Sequence, residues 1–222
     1  MANSPRITII TGHYGCGKTN LALNLALQAA GKGTPVTLVD LDIVNPYFRS
    51  SEYRAPLERL GVRLITPVFA GTTLDTPTLS PELFRIFSPE AGQVIMDAGG
   101  DDAGVTALGC LSARLLETGY AMLYVINRYR VLSQTPEEAQ TLLEEIQAAC
   151  RLKATGIVNN SHLGVETSLE DLLAALPFGE NTARLTGLPL LYSTAPDFVL
   201  NGAPPPEGFR VVKRLVTFPW ET

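Results

Sequence analysis

The octapeptide GHYGCGKT, Gly12 to Thr19, lies between the apolar run ITII (Ile7 to Ile10) and a stretch from Asn20 to Ala30 where Leu21, Leu25 and several alanines recur at helical spacing. Few folds accommodate that arrangement. A strand must end, the chain must turn through conformations that glycine adopts easily, and a helix must begin at once. In this strand–loop–helix context the pattern G-x-x-x-x-G-K-[ST] is a phosphate-binding loop. Backbone N–H groups along Gly12, His13, Tyr14, Gly15, Cys16 and Gly17 are expected to surround a polyphosphate held at the positive end of the helix, with Asn20 closing its first turn. Lys18 is the cation expected to reach the β and γ phosphates during catalysis. The Thr19 hydroxyl is the expected Mg²⁺ ligand.

The rest of the chain repeats the alternation. VTLVD (Val36 to Asp40), VRLIT (Val62 to Thr66), QVIMD (Gln93 to Asp97), AMLYVI (Ala121 to Ile126), ATGIVN (Ala154 to Asn159) and LPLLYS (Leu188 to Ser193) are short and apolar on both faces, the pattern of buried parallel strands. Helical patterns fill the gaps at Ala103 to Glu117, Pro136 to Cys150 and Ser168 to Leu185. The expected fold is a doubly wound α/β domain with a mostly parallel sheet, built as a three-layer sandwich. A chain of 222 residues, 45% hydrophobic and 18% charged, suffices for one such domain over 1–222. The Pro/Gly-rich NGAPPPEGF (Asn201 to Phe209) sets off a short C-terminal appendage at about 203–222.

A phosphate-binding loop coupled to magnesium chemistry needs carboxylates. VDLDIVNPYFR puts Asp40 at the end of the second apolar run and Asp42 just beyond it; VIMDAGG ends another run on Asp97, followed by Gly99 and Gly100. A charge that closes a buried strand needs a partner, and Mg²⁺ supplies one. Asp97 is therefore expected in the magnesium shell, through a bound water. Gly99 and Gly100 would let the chain bend near the terminal phosphate and donate N–H bonds. Each Asp taken singly also suits an exposed strand end or a helix cap.

Together GHYGCGKT, DLDIVNP, VIMDAGG and GIVNN resemble the MinD/ParA/Mrp superfamily of deviant P-loop ATPases, within the CobQ/CobB/MinD/ParA nucleotide-binding domains, over roughly Arg6 to Asp197. The resemblance implies a SIMIBI-like P-loop NTPase fold and the cofactors ATP and Mg²⁺. It implies Asp42 as the residue that positions the attacking water and Asp40 in the metal's outer shell. Asn160, closing a G-x-x-x-N match, would read the base, and Pro196 with Asp197 would form a second base-side loop. One departure stands out: relatives carry a lysine after the first glycine that crosses a two-fold interface to the partner's phosphates, where this chain has His13. His13 either does a weaker, pH-sensitive version of that task, histidine's ordinary pKa being near 6.5, or is a plain loop side chain. A nucleotide-dependent homodimer is accordingly the less secure part of the resemblance.

Other features narrow the output. Cys16, Cys110 and Cys150 are widely spaced and suggest neither a disulfide framework nor an iron–sulfur cluster, so a reducing cytoplasm is expected. A net charge of -5 gives no footing for a nucleic-acid partner. Cys16, beside a helix N-terminus, is either a thiol of lowered pKa open to oxidation or a small residue that fits. FRVVKRLVTFPW admits a basic-apolar helix lying on a membrane surface, or a last strand or helix docked on the domain. Two functional classes remain: a Mg·ATP-dependent switch read by a protein partner, or an enzyme transferring phosphate to a small anionic substrate as dethiobiotin and cobyrinate synthases do. In the second, Arg49 and Arg54 would hold the substrate.

Overall fold

The computed structural model describes residues 5–41, 50–66, 81–100 and 102–216; Asp42, Arg49, Thr217 and Phe218 lie outside them. Among the described residues eight strands make one sheet: β1 (Ile7–Gly12), β2 (Val36–Asp40), β3 (Val62–Ile65), β4 (Gln93–Asp97), β5 (Tyr120–Ile126), β6 (Gly156–Asn159), β7 (Leu190–Pro196) and β8 (Phe209–Val212). Their spatial order is β3-β2-β4-β1-β5-β6-β7-β8, and each neighbouring pair is parallel. Parallel neighbours require the chain to cross back between strands. The helices met along the way are α1 (Lys18–Ala30), α2 (Ser50–Arg59), α3 (Asp102–Thr118), α4 (Pro136–Cys150), α5 (Leu169–Ala174), α6 (Leu176–Thr186) and α7 (Asp197–Leu200).

Strand periodicity divides the core in two. Ile7 and Ile9 of β1, Val94 and Met96 of β4, and Met122, Tyr124 and Ile126 of β5 pack with Leu108 and Leu111 of α3 and Leu143 and Ile146 of α4. Ile10, Ile95, Leu123 and Val125, one step out of phase, pack with Leu21, Leu23 and Ala26 of α1. The sheet is thus covered on both faces, which is why its strands read as apolar throughout. The start of α4 is fixed locally. Thr135 accepts from the Glu138 N–H at 3.2 Å while Glu138 caps the Thr135 N–H at 3.1 Å, a reciprocal box followed by Pro136.

One expectation is corrected. The helix expected over Ser168 to Leu185 is two helices, because α5 has run out at Ala175 and Pro177 sits in the first turn of α6, the position proline tolerates. Of the alternatives left for the C-terminal segment, the docked strand is the one found: β8 pairs with β7 from Ser193↔Phe209 to Pro196↔Val212. Its backbone is extended, so a membrane-surface helix through Arg210 is ruled out. Among the described residues no helix is long and apolar enough to cross a membrane.

The topology also fixes where a ligand goes. From β1 the chain first builds one side of the sheet (β2, β3, β4) and then the other (β5 to β8), so the order reverses at β1. Ligands of open α/β sheets bind beyond the carboxyl ends of the strands at such a reversal, and here that place is the turn from Gly12 into α1.

Candidate functional site

Glycine geometry shapes the loop. Gly15 and Gly17 lie at φ 73° and 88°, in the left-handed region, and Gly17 is the cap residue of α1. A methyl group on Gly17 would stand 2.3 Å from Asn160 Nδ2. At Gly12 it would stand 2.2 Å from the Val125 carbonyl oxygen, so the loop leaves β1 pressed against β5. Leu21 makes the first intrahelical bond, to the Gly17 carbonyl at 3.1 Å. The N–H groups of Lys18, Thr19 and Asn20 precede it and have no partner within the helix. Lys18, 5% exposed, donates from Nζ to the His13 carbonyl at 3.1 Å, which draws its ammonium over the loop.

The carboxylates expected at the edge arrive together. Asp40 and Asp97 are register partners at the ends of neighbouring strands β2 and β4, and Asp97 is 2% exposed. The Leu41 N–H reaches the Asp97 carbonyl at 2.8 Å, tying the end of β2 to β4, and the Ala98 N–H reaches that of Ile10 at 2.9 Å, tying the end of β4 to β1. Gly100 is small of necessity: a methyl group there would lie 2.1 Å from the Gly12 carbonyl oxygen. Among the described residues no group of three or more His, Cys, Asp or Glu side chains is arranged to hold a metal on its own. A magnesium ion at this edge would therefore complete its shell with Thr19, water and the ligand's own phosphate oxygens.

Several expected contacts serve different ends. Asn160, expected at the base, donates from Nδ2 to the Cys16 carbonyl at 2.7 Å and accepts from the Thr194 hydroxyl, so it braces the loop and keeps one N–H to spare. Asn20 lines the cleft, but its side chain is taken up by the C-terminal flank: Nδ2 donates to the Lys213 carbonyl at 3.0 Å, and Oδ1 accepts from the Leu215 N–H at 2.8 Å. One helical turn on, Asn24 donates to the Lys213 carbonyl at 2.8 Å and accepts its N–H at 2.7 Å. Asn20 thus has only its backbone N–H for a phosphate. Arg54 donates to the Leu64 carbonyl at 3.1 Å and pairs with Glu58 at 3.7 Å, so α2 and β3 occupy it. Cys16 is fully buried and burial pushes its thiol pKa up, against the reactive thiol considered from sequence. His13 keeps its ring on the neighbouring Tyr14 carbonyl, at 2.9 Å from Nδ1.

A cleft of about 340 Å³ opens over the loop and gathers these elements. Gly15, Gly17, Lys18 and Thr19 form its floor; Pro196 and Phe198 stand on one side, Val212 and Val216 on another. Asp197 does not line it: this exposed residue turns its carboxylate to the Phe198 N–H at 2.9 Å. Two cleft residues escaped the sequence reading, Arg130 and His162. His162 accepts the Gly164 N–H on Nδ1 at 3.0 Å, which leaves Nε2 to carry the proton toward Gly17. Burial, then the Arg130 charge, pushes its pKa down to about 4, so the ring is neutral. Arg130 and His162 come from loops that look like ordinary surface in sequence; only the closure of the cleft singles them out.

Comparison with known proteins gives the same picture of the scaffold. Residues 7–174 match the family model of the CobQ/CobB/MinD/ParA nucleotide binding domain. Chloroplast FtsY from Physcomitrella patens superposes with a TM-score of 0.57 at 15% identity, over 87% of this chain and 59% of that one. The signal recognition particle receptor FtsY from Elizabethkingia anophelis, in complex with GDP, gives 0.54 at 18% identity over 87% and 58%. FtsY from Thermotoga maritima gives 0.53 at 19% identity over 88% and 63%. The chain therefore spans less than two thirds of each of these structures, and at such identities the likeness is one of fold. No curated protein matches the sequence.

Proposed function

The chain belongs to the CobQ/CobB/MinD/ParA nucleotide-binding domain family, and from that premise we propose that it binds Mg·ATP and acts as a slow hydrolytic switch read by a protein partner. The observation that carries the reading is the cleft itself. A glycine-built loop at a helix N-terminus, Lys18 drawn over it and Thr19 make up the cleft floor, and the strand-end carboxylates Asp40 and Asp97 are register partners on β2 and β4, with β4 beside β1. Backbone N–H groups and Lys18 would hold the phosphates, the helix N-terminus adding its positive potential. Thr19, Asp40 and Asp97 fit magnesium, which when bound offsets charge on the phosphates. Asp42, two residues past the end of β2, is the residue proposed to orient the attacking water.

Adenine preference belongs to the same proposal. Asn160 offers a base one N–H, and the apolar walls Phe198 and Val216 accept any purine. Discrimination then rests on backbone groups around Pro196. A switch also needs parts that respond to the ligand, and the strand-end Asp97, two residues before Gly99, suits such a role.

Calorimetry with Mg·ATP, Mg·ADP and Mg·GTP on the wild type and on Lys18→Ala tests the reading. Lys18→Ala should keep the fold and lose at least tenfold in ATP affinity, the worth of a charge-assisted phosphate contact. ATP should bind in preference to GTP. A wild-type protein that binds no nucleotide, or a Lys18→Ala protein that binds as well as wild type, refutes the assignment of the loop; GTP bound more tightly refutes the adenine preference alone.

A further inference from the structure

The β5–α4 connection is held in place before any ligand arrives. Asn127 at its start accepts the Tyr129 N–H at 3.0 Å and donates to the His162 carbonyl at 3.2 Å; Ser161 accepts the Arg128 N–H at 3.0 Å. Further along, Ser133 donates to the Asn127 carbonyl at 3.2 Å and closes the loop on itself. The side chain this loop presents is Arg130. Its guanidinium lies over the phosphate loop, where a methyl group built on Gly15 would stand 3.6 Å from Nε. That Nε is buried and, among the described residues, meets no hydrogen-bond acceptor.

A charged donor withdrawn from water without an acceptor is costly, so its place in a ligand cleft points to an acceptor that comes with the ligand. The cleft's charge agrees. Lys18, Arg130, Lys213 and Arg214 line it, and no acid does among its described lining residues, in a chain whose net charge is -5. His162, the neighbour that could have repelled Arg130, is neutral there. We propose that Arg130 is a phosphate-binding residue of the nucleotide site, donating a guanidinium contact at the loop from within the same chain. This rests on the nucleotide-binding reading above. It goes further in making the phosphate site electrostatically complete within one chain, the fixed charge entering from the β5–α4 loop.

The test uses inorganic pyrophosphate and Mg·ADP as probes, titrated into the wild type, Arg130→Met and Arg130→Lys. Met keeps the unbranched stem that packs on Gly15 and removes the charge; Lys keeps the charge and gives up the fork. Arg130→Met should weaken both probes by roughly ten- to a hundredfold, the range of a charge-assisted hydrogen bond, with Arg130→Lys in between and thermal midpoints within a few degrees of wild type. Wild-type affinity in Arg130→Met would assign Arg130 to packing and overturn the proposal while leaving nucleotide binding intact. Failure of the wild type to bind either probe would overturn the nucleotide reading and this proposal with it.

Discussion

Removing the Asn24 side chain should unlatch the C-terminal segment from α1. Asn24 is 5% exposed, and its amide makes two bonds to the backbone of Lys213, at 2.8 and 2.7 Å. At about 1 kcal/mol net per hydrogen bond, Asn24→Ala costs about 2 kcal/mol, or roughly a thirtyfold rise in the fraction of molecules with this segment open. The segment is not wholly freed, since Asn20 still holds the Lys213 carbonyl and the Leu215 N–H. Lys213 and Arg214 are exposed side chains at trypsin-sensitive bonds, so cleavage there reports the open state directly. Where reclosing outpaces cutting, the rate follows the open population. Limited digestion followed by mass spectrometry should show cleavage after Lys213 or Arg214 about thirtyfold faster in Asn24→Ala than in wild type. A rate within about twofold of wild type would refute the latch, and so would accelerated cleavage spread evenly over the chain, which signals global loosening.

Two more outcomes follow. Asp42→Ala should retain Mg·ATP affinity and lose roughly a hundredfold or more in turnover, as for a positioning or general-base residue; equal single-turnover rates would remove Asp42 from the mechanism. The neutral His162 makes the fold acid-sensitive: with its folded pKa pushed down to about 4, the unfolded chain binds the extra proton below about 6.5, so stability falls as pH drops from about 6.5 to 4. The full span is at most about 3 kcal/mol, trimmed by the ring's partial exposure. Urea unfolding across that window should show a shallower slope in His162→Gln, and an unchanged slope would contradict the assignment.

The strands and the phosphate loop were legible because each depends on local chemistry. An apolar run covered on both faces carries its own signal, as QVIMD and AMLYVI do, and a glycine-rich loop between a strand and a helix has few other uses. The family assignment was legible for the same reason. What escaped depended on partners far along the chain. FRVVKRLVTF supports a helical face and a strand equally well, and β8 is settled only by its pairing with β7 and by two asparagines nearly 190 residues away on α1. Asn20 was placed with the ligand and does line the cleft, but its amide is taken up by the Lys213 and Leu215 backbone of the flank. Arg130 and His162 carry no motif, and their meeting over Gly15 and Gly17 is a product of the sheet order that sets β5 and β6 beside β1.

The cleft is assembled from stretches that lie far apart along the chain. Its floor is complete by Thr19, while Val212, Lys213, Arg214 and Val216 close its flank. On a ribosome adding about 5–20 residues per second, about 200 residues separate the two, a delay of roughly 10–40 s. A nascent chain thus carries a phosphate loop that is made long before the walls that enclose its ligand. Enclosure of a ligand is acquired only once the segment through Val216 has been made, and a chain halted before β8 would keep the loop without that flank.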